Sequence, residues 1–119
     1  MSQVGSKMRK IGHREGYSAG GLAHWCPACE EVHAFAIDHP NSHGAIWTWD
    51  GNVENPTFSP SMNIVINPVG HKHHNPEYPS EVCHYFLQNG VIQYLADCTH
   101  ALKNQRVILP VLPAHLRDH

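Results

Sequence analysis

Long apolar runs are what this chain most conspicuously lacks. None approaches the ~18 residues that cross a bilayer, and the polar start from Met1 to Gly21 has no apolar stretch of the kind a secretory signal carries. A cytoplasmic protein without a membrane partner is expected, in a compartment where thiols stay reduced and favour metal over disulfide. Basic clusters are missing too: beyond Lys7, Arg9 and Lys10 the cations are scattered, and the formal net charge is -2. Nucleic acid is therefore not an expected partner. Uninterrupted stretches are scarce, because nine glycines and nine prolines are spread over 119 residues, and this excludes long helices. There is no internal repeat and no low-complexity segment.

What is present suits one small core. Residues 1–21, polar and aperiodic, read as a flexible leader, residues 22–112 as a zinc-binding β domain and residues 113–119 as a tail. Alternation and turn residues predict strands at Leu22–Trp25, Val32–Ile37, Ala45–Trp49, Met62–Ile66, Val82–Leu87, Val91–Ala96 and Arg106–Leu109. Asn55-Pro56 and Ser59-Pro60 mark extended, turn-rich backbone ahead of Met62, and Asn67 to Ser80, with three prolines and His71, His73 and His74, is the longest loop. The fold class is mainly β, a small α+β at most: compact antiparallel hairpins around one zinc knuckle.

That knuckle is Cys26-Pro27-Ala28-Cys29. Its two-residue spacing lets a turn aim two thiolates at one tetrahedral zinc, and a Cys/His pair from a distant hairpin completes such a site. A thioredoxin-like redox pair shares the spacing, but it opens a helix, and nothing helical follows Cys29. Cys83 is the expected third ligand. The fourth is His100 or Cys98, with His33 a further candidate. Four protein ligands close the shell, so one structural zinc per chain is expected, and a core with only 41% apolar residues needs such a staple.

Asn89-Gly90 is the pair that a two-residue type I′ hairpin turn demands. Counting outward from it pairs Gln88 with Val91 and puts Cys83, Tyr85, Ile92, Tyr94 and Cys98 on one face, with His84, Phe86, Gln93, Leu95 and Asp97 on the other. Cys83 and Cys98 then lie within reach of one ion, and His84 and Asp97 within reach of each other on the opposite face.

Several motifs taken in order carry a resemblance: His24-Trp25-Cys26-Pro27 with Cys29 and Val32-His33, the Trp47 strand, Pro56-Thr57-Phe58-Ser59-Pro60-Ser61, Cys83-His84-Tyr85-Phe86 with Asn89-Gly90, and Asp97-Cys98-Thr99-His100-Ala101-Leu102. From about Ala23 to Leu109 the chain resembles a family found in phages, prophages and bacterial operons, known as domain of unknown function 6527. Members are often labelled ammonia monooxygenase, and nothing in this sequence supports that label. The resemblance implies a phage or bacterial protein whose relatives travel with bacterial ubiquitin-like conjugation genes and act as serine-type peptidases. Carried over by motif, it points to Ser59 or Ser61, His84 and Asp97 as catalytic residues. Ala28 and Glu30 stand where glycines are usual around the knuckle, and Lys103-Asn104 stands where Ala-Gly is common.

A serine nucleophile needs a base within hydrogen-bond reach, and the base needs a carboxylate to fix its tautomer. The expected function is thus a zinc-stabilised small hydrolase, a serine-type peptidase acting on protein tails such as those of ubiquitin-like proteins. The alternative is a non-enzymatic zinc-binding accessory or protein-interaction module, with Trp25, Trp47, Trp49 and Phe58 as core or interface. A third reading makes His84, His100 and Asp97 ligands of a catalytic zinc.

Overall fold

The computed structural model describes residues 3–11 and 20–116. Its strands form two antiparallel sheets in which sequence neighbours pair throughout. The first holds β1 (Gln3–Val4), β2 (Met8–Ile11), β3 (Gly21–Cys26) and β4 (Glu31–Ala36), in that order. The second holds β5 (Thr48–Trp49), β6 (Phe58–Ile66), β7 (Glu81–Gln88), β8 (Val91–Tyr94) and β9 (Arg106–Ile108). The mainly β class holds. Among the described residues the one helical element is a short 3-10 turn, Ala114–Leu116.

Alternation along β7 sets the geometry of the rest. Cys83, Tyr85 and Leu87 are buried, whereas Val82, His84 and Phe86 are only partly covered, as the period of two requires. The inner faces of the two sheets meet through Leu22, Phe35, Phe58, Leu87 and Ile92. Phe35 of the first sheet stacks on Phe58 of the second, with ring centroids 4.1 Å apart. The Asn89-Gly90 turn delivers the expected register, Gln88 to Val91 through Tyr85 to Tyr94.

Four boundaries differ by more than one residue from the sequence reading. The fold does not start at Leu22: β2 pairs with β3 from Met8–His24 to Ile11–Gly21, and Met8 is fully buried, so Val4, Met8 and Ile11 supply enough apolar surface to dock an otherwise polar segment. The leader residues 12–19 lie outside the described residues, as do 117–119 of the tail. β5 is only two residues long because its expected start is engaged elsewhere: Ala45 is held in a turn by Asn41, and the Trp47 amide donates to the Ala36 carbonyl at 2.8 Å. β6 begins early, at Phe58, and β8 ends early, at Tyr94, where a turn closed by the Cys98 amide on the Leu95 carbonyl takes over.

Candidate active site and candidate metal centre

β6 and β7 fall out of register between Phe58 and Met62: four residues of β6 span what two of β7 cover. Pro60 in this bulge has no amide to give to a ladder, and bulges re-aim side chains. Downstream, Met62 and Ile64 lie on the core side with Tyr85 and Cys83, while Ser61 and Asn63 lie on the outer side with His84. The Ser61 Oγ is 3.1 Å from His84 Nε2. His84 Nδ1 lies 3.0 and 3.2 Å from the two carboxylate oxygens of Asp97. An ionised carboxylate can only accept, so the ring carries its proton on Nδ1 and leaves Nε2 free to accept from the serine hydroxyl.

Asp97 reaches His84 from the turn after β8 and not from a continuing strand. Cys98 bolts that turn down: its thiol donates to the His84 carbonyl at 3.1 Å, and the His84 amide donates to its sulfur at 3.2 Å. Cys98 is thereby directed at the β7 backbone and away from the other thiols. Ser59 sits elsewhere, paired with Thr48, its carbonyl taking the Thr48 hydroxyl. The His84 side chain is 23% exposed and that of Asp97 57%, so the outer face is open to a substrate.

On the opposite face of β7 lies the second cluster. Ligand atoms of Cys26, Cys29, His33 and Cys83 all come within 4.8 Å of one another and could hold one metal ion. Cys26 and Cys83 are 4.0 Å apart at sulfur, close to the ~3.8 Å of two thiolates at ~2.3 Å from a tetrahedral zinc and far beyond a disulfide. His100, expected as the fourth ligand, is not in this group. Its ring packs edge-on against Tyr94, and it lines a cleft of about 270 Å³ beside Cys29 and Cys83. Nor do His84, Asp97 and His100 form such a group among the described residues. His33 joins the three thiols because the β3–β4 register sets it opposite His24 with its side chain inward, 5% exposed.

Hydrogen bonding tests whether this set suits an ion. His33 Nδ1 is 3.2 Å from the Tyr85 hydroxyl, which is 2.7 Å from His24 Nε2, while His24 Nδ1 faces the Trp25 carbonyl at 3.3 Å. One proton assignment satisfies all three contacts: His24 donates to the carbonyl, Tyr85 to His24, and His33 Nδ1–H to Tyr85. The lone pair left over belongs to His33 Nε2, a buried atom without a hydrogen-bond partner, its nearest carboxylate oxygen, of Glu31, lying at 3.5 Å outside hydrogen-bond geometry. A metal ligand held by its other ring nitrogen has this form.

Charge points the same way. The hydrogen bond from Cys83, helped by that of Tyr94, holds the Cys26 thiol far below its usual range; the same bond, with burial, pushes Cys83 well up. Burial and the Cys26 charge push Cys29 up to about 12. Burial, then the neighbouring His33, lowers His24 to about 4, so it stays neutral. Three thiols cannot all ionise here alone, and a bound cation would supply the missing counter-charge.

A family model of the bacterial ubiquitination-like system serine proteases, BubE, matches residues 4–95. The chain belongs to that family. The match agrees with the serine-protease and ubiquitin-like part of the resemblance read from the motifs, and it is made to the BubE description and not to domain of unknown function 6527. It takes in β2 to β8, with Ser59, Ser61, His84 and all four clustered metal donors, and stops two residues short of Asp97. No curated protein and no solved structure matches the chain. No helix among the described residues is long and apolar enough to cross a membrane.

Proposed function

We propose that the protein is a serine peptidase of a bacterial ubiquitin-like system, acting on the tail of a protein substrate and stabilised by one structural zinc. The observation that carries this reading is the hydrogen-bonded chain Ser61–His84–Asp97 in a member of the BubE family. Ser61 Oγ attacks the scissile carbonyl while His84 Nε2 takes its proton, and the imidazolium returns that proton to the leaving amine. Water then cleaves the acyl ester by the reverse relay. Asp97 holds the ring tautomer throughout and stabilises the imidazolium. Ser61 is the nucleophile in this reading, and Ser59 is part of the bulge that positions it.

Zinc is the ion favoured by three thiolates and an imidazole in tetrahedral reach. Bound there, with four protein donors, it would have no position for water or substrate, and its part would be to tie strands together. A fluorophosphonate probe tests the catalytic half: stoichiometric labelling at Ser61 that His84→Ala abolishes is expected. A zinc-loaded, folded protein that resists the probe would leave the interaction-module reading in its place.

A further inference from the structure

Beyond Ser61, one edge of the strand that carries it pairs with no other strand among the described residues. Val82 and His84 spend their backbone groups on the far side of β7: Thr99 donates to the Val82 carbonyl, Leu95 to the His84 carbonyl, and the Val82 amide donates to the Thr99 hydroxyl. Antiparallel ladders alternate between bonded and non-bonded pairs. Asn63–His84 and Val65–Val82 are therefore the non-bonded pairs of the β6–β7 ladder, and the amides and carbonyls of Asn63 and Val65 point away from β7. Ser61 follows the same alternation, and its carbonyl takes the Trp47 indole N–H at 3.2 Å.

β5 covers this edge only at Phe58 and Ser59. From Asn63 to Val65 no strand pairs with it among the described residues, and both side chains are exposed. Neither is a lysine or a proline, the residues that usually blunt an edge. Two donors and two acceptors in a row, beginning two residues from the serine hydroxyl, have the chemistry of a template for extended backbone.

We propose that an extended peptide docks here as an added strand, antiparallel to β6, with its acyl side on Asn63 and Val65 and its scissile carbonyl at Ser61. This rests on Ser61 being the nucleophile. The direction follows from β5: residues beyond the scissile bond would run toward Thr48 and Trp49, where the edge is already taken, so the long paired side is the one before it. A flexible protein tail meets this demand, because it has free backbone to pair and a chain end to thread past Ser61.

The test compares two serine-directed reagents with the same reactive residue, acetyl-glycyl diphenyl phosphonate and a tetrapeptidyl-glycyl diphenyl phosphonate. The longer one should modify Ser61 about tenfold faster or more, the yield of a few extra backbone hydrogen bonds, and N-methylation of its alternate residues should remove that advantage. Amide exchange at Asn63 and Val65 should slow in the long adduct and not in the short one. Equal rates, or a faster reaction with both amides still exchanging freely, would overturn the edge site while keeping the nucleophile. Failure of both reagents at Ser61 would overturn the catalytic reading and this proposal with it.

Discussion

Ser61, His84 and Asp97 are joined by bonds of 3.0 to 3.2 Å, and none of them donates to the thiol cluster on the other face of β7. Their substitution should therefore separate activity from metal content. Ser61→Ala and His84→Ala should each lower peptide or ester cleavage by at least ~10³-fold, and Asp97→Asn by ~10²–10⁴-fold through the wrong tautomer, all with unchanged zinc by native mass spectrometry. The fourth metal position gives a second residue-scale outcome. His33→Ala should lose the ion, His100→Ala should keep it, and Tyr85→Phe should weaken binding ~10–100-fold by releasing the His33 ring. Metal retained by His33→Ala and lost by His100→Ala would reverse the assignment.

Hairpins are the elements that place these groups, and two of the sequence's departures from its family resemblance acquire a physical meaning here. Glu30, where glycine is usual, closes the knuckle through its amide on the Cys26 carbonyl at 2.8 Å and has φ +54; Asn104, also in a glycine's place, has φ +64. Both lie in the left-handed region that glycine occupies without strain. Asn tolerates it and Glu does so less well, so Glu30→Gly should raise stability by ~0.5–1 kcal/mol in urea unfolding. A loss of that size would mean that the Glu30 side chain contributes something its backbone does not reveal. The register of the Asn89-Gly90 hairpin was legible from two residues, because the turn type leaves no other pairing. The end of β8 was not, because Ala96 and Asp97 alternate acceptably as strand and are turned by contacts of Cys98 with Leu95 and with the His84 backbone.

Across the whole molecule the candidate metal centre joins the two sheets: Cys26, Cys29 and His33 come from the β3–β4 hairpin of the first, and Cys83 from β7 of the second. Removing the ion leaves three clustered thiols with a small core to hold the sheets together. A strong chelator should lower Tm by more than ~10 °C or unfold the protein, and activity should fall in step with near-UV circular dichroism. Activity lost while that signal persists would assign the ion a part in the chemistry.

The knuckle spacing, the Asn-Gly turn and the alternation of Cys83-His84-Tyr85 are local, and local rules of period and turn geometry were enough to separate a thiol face from a His84–Asp97 face. Three things needed the tertiary structure. Met8 enters the core by pairing with a strand sixteen residues away in sequence, a contact that its polar neighbours conceal. Ser61 was distinguished from Ser59 by the two-residue slip between β6 and β7, which no alternation pattern announces. His33 and not His100 stands with the three thiols, because such a grouping follows from three-dimensional proximity and the sequence supplies only spacing.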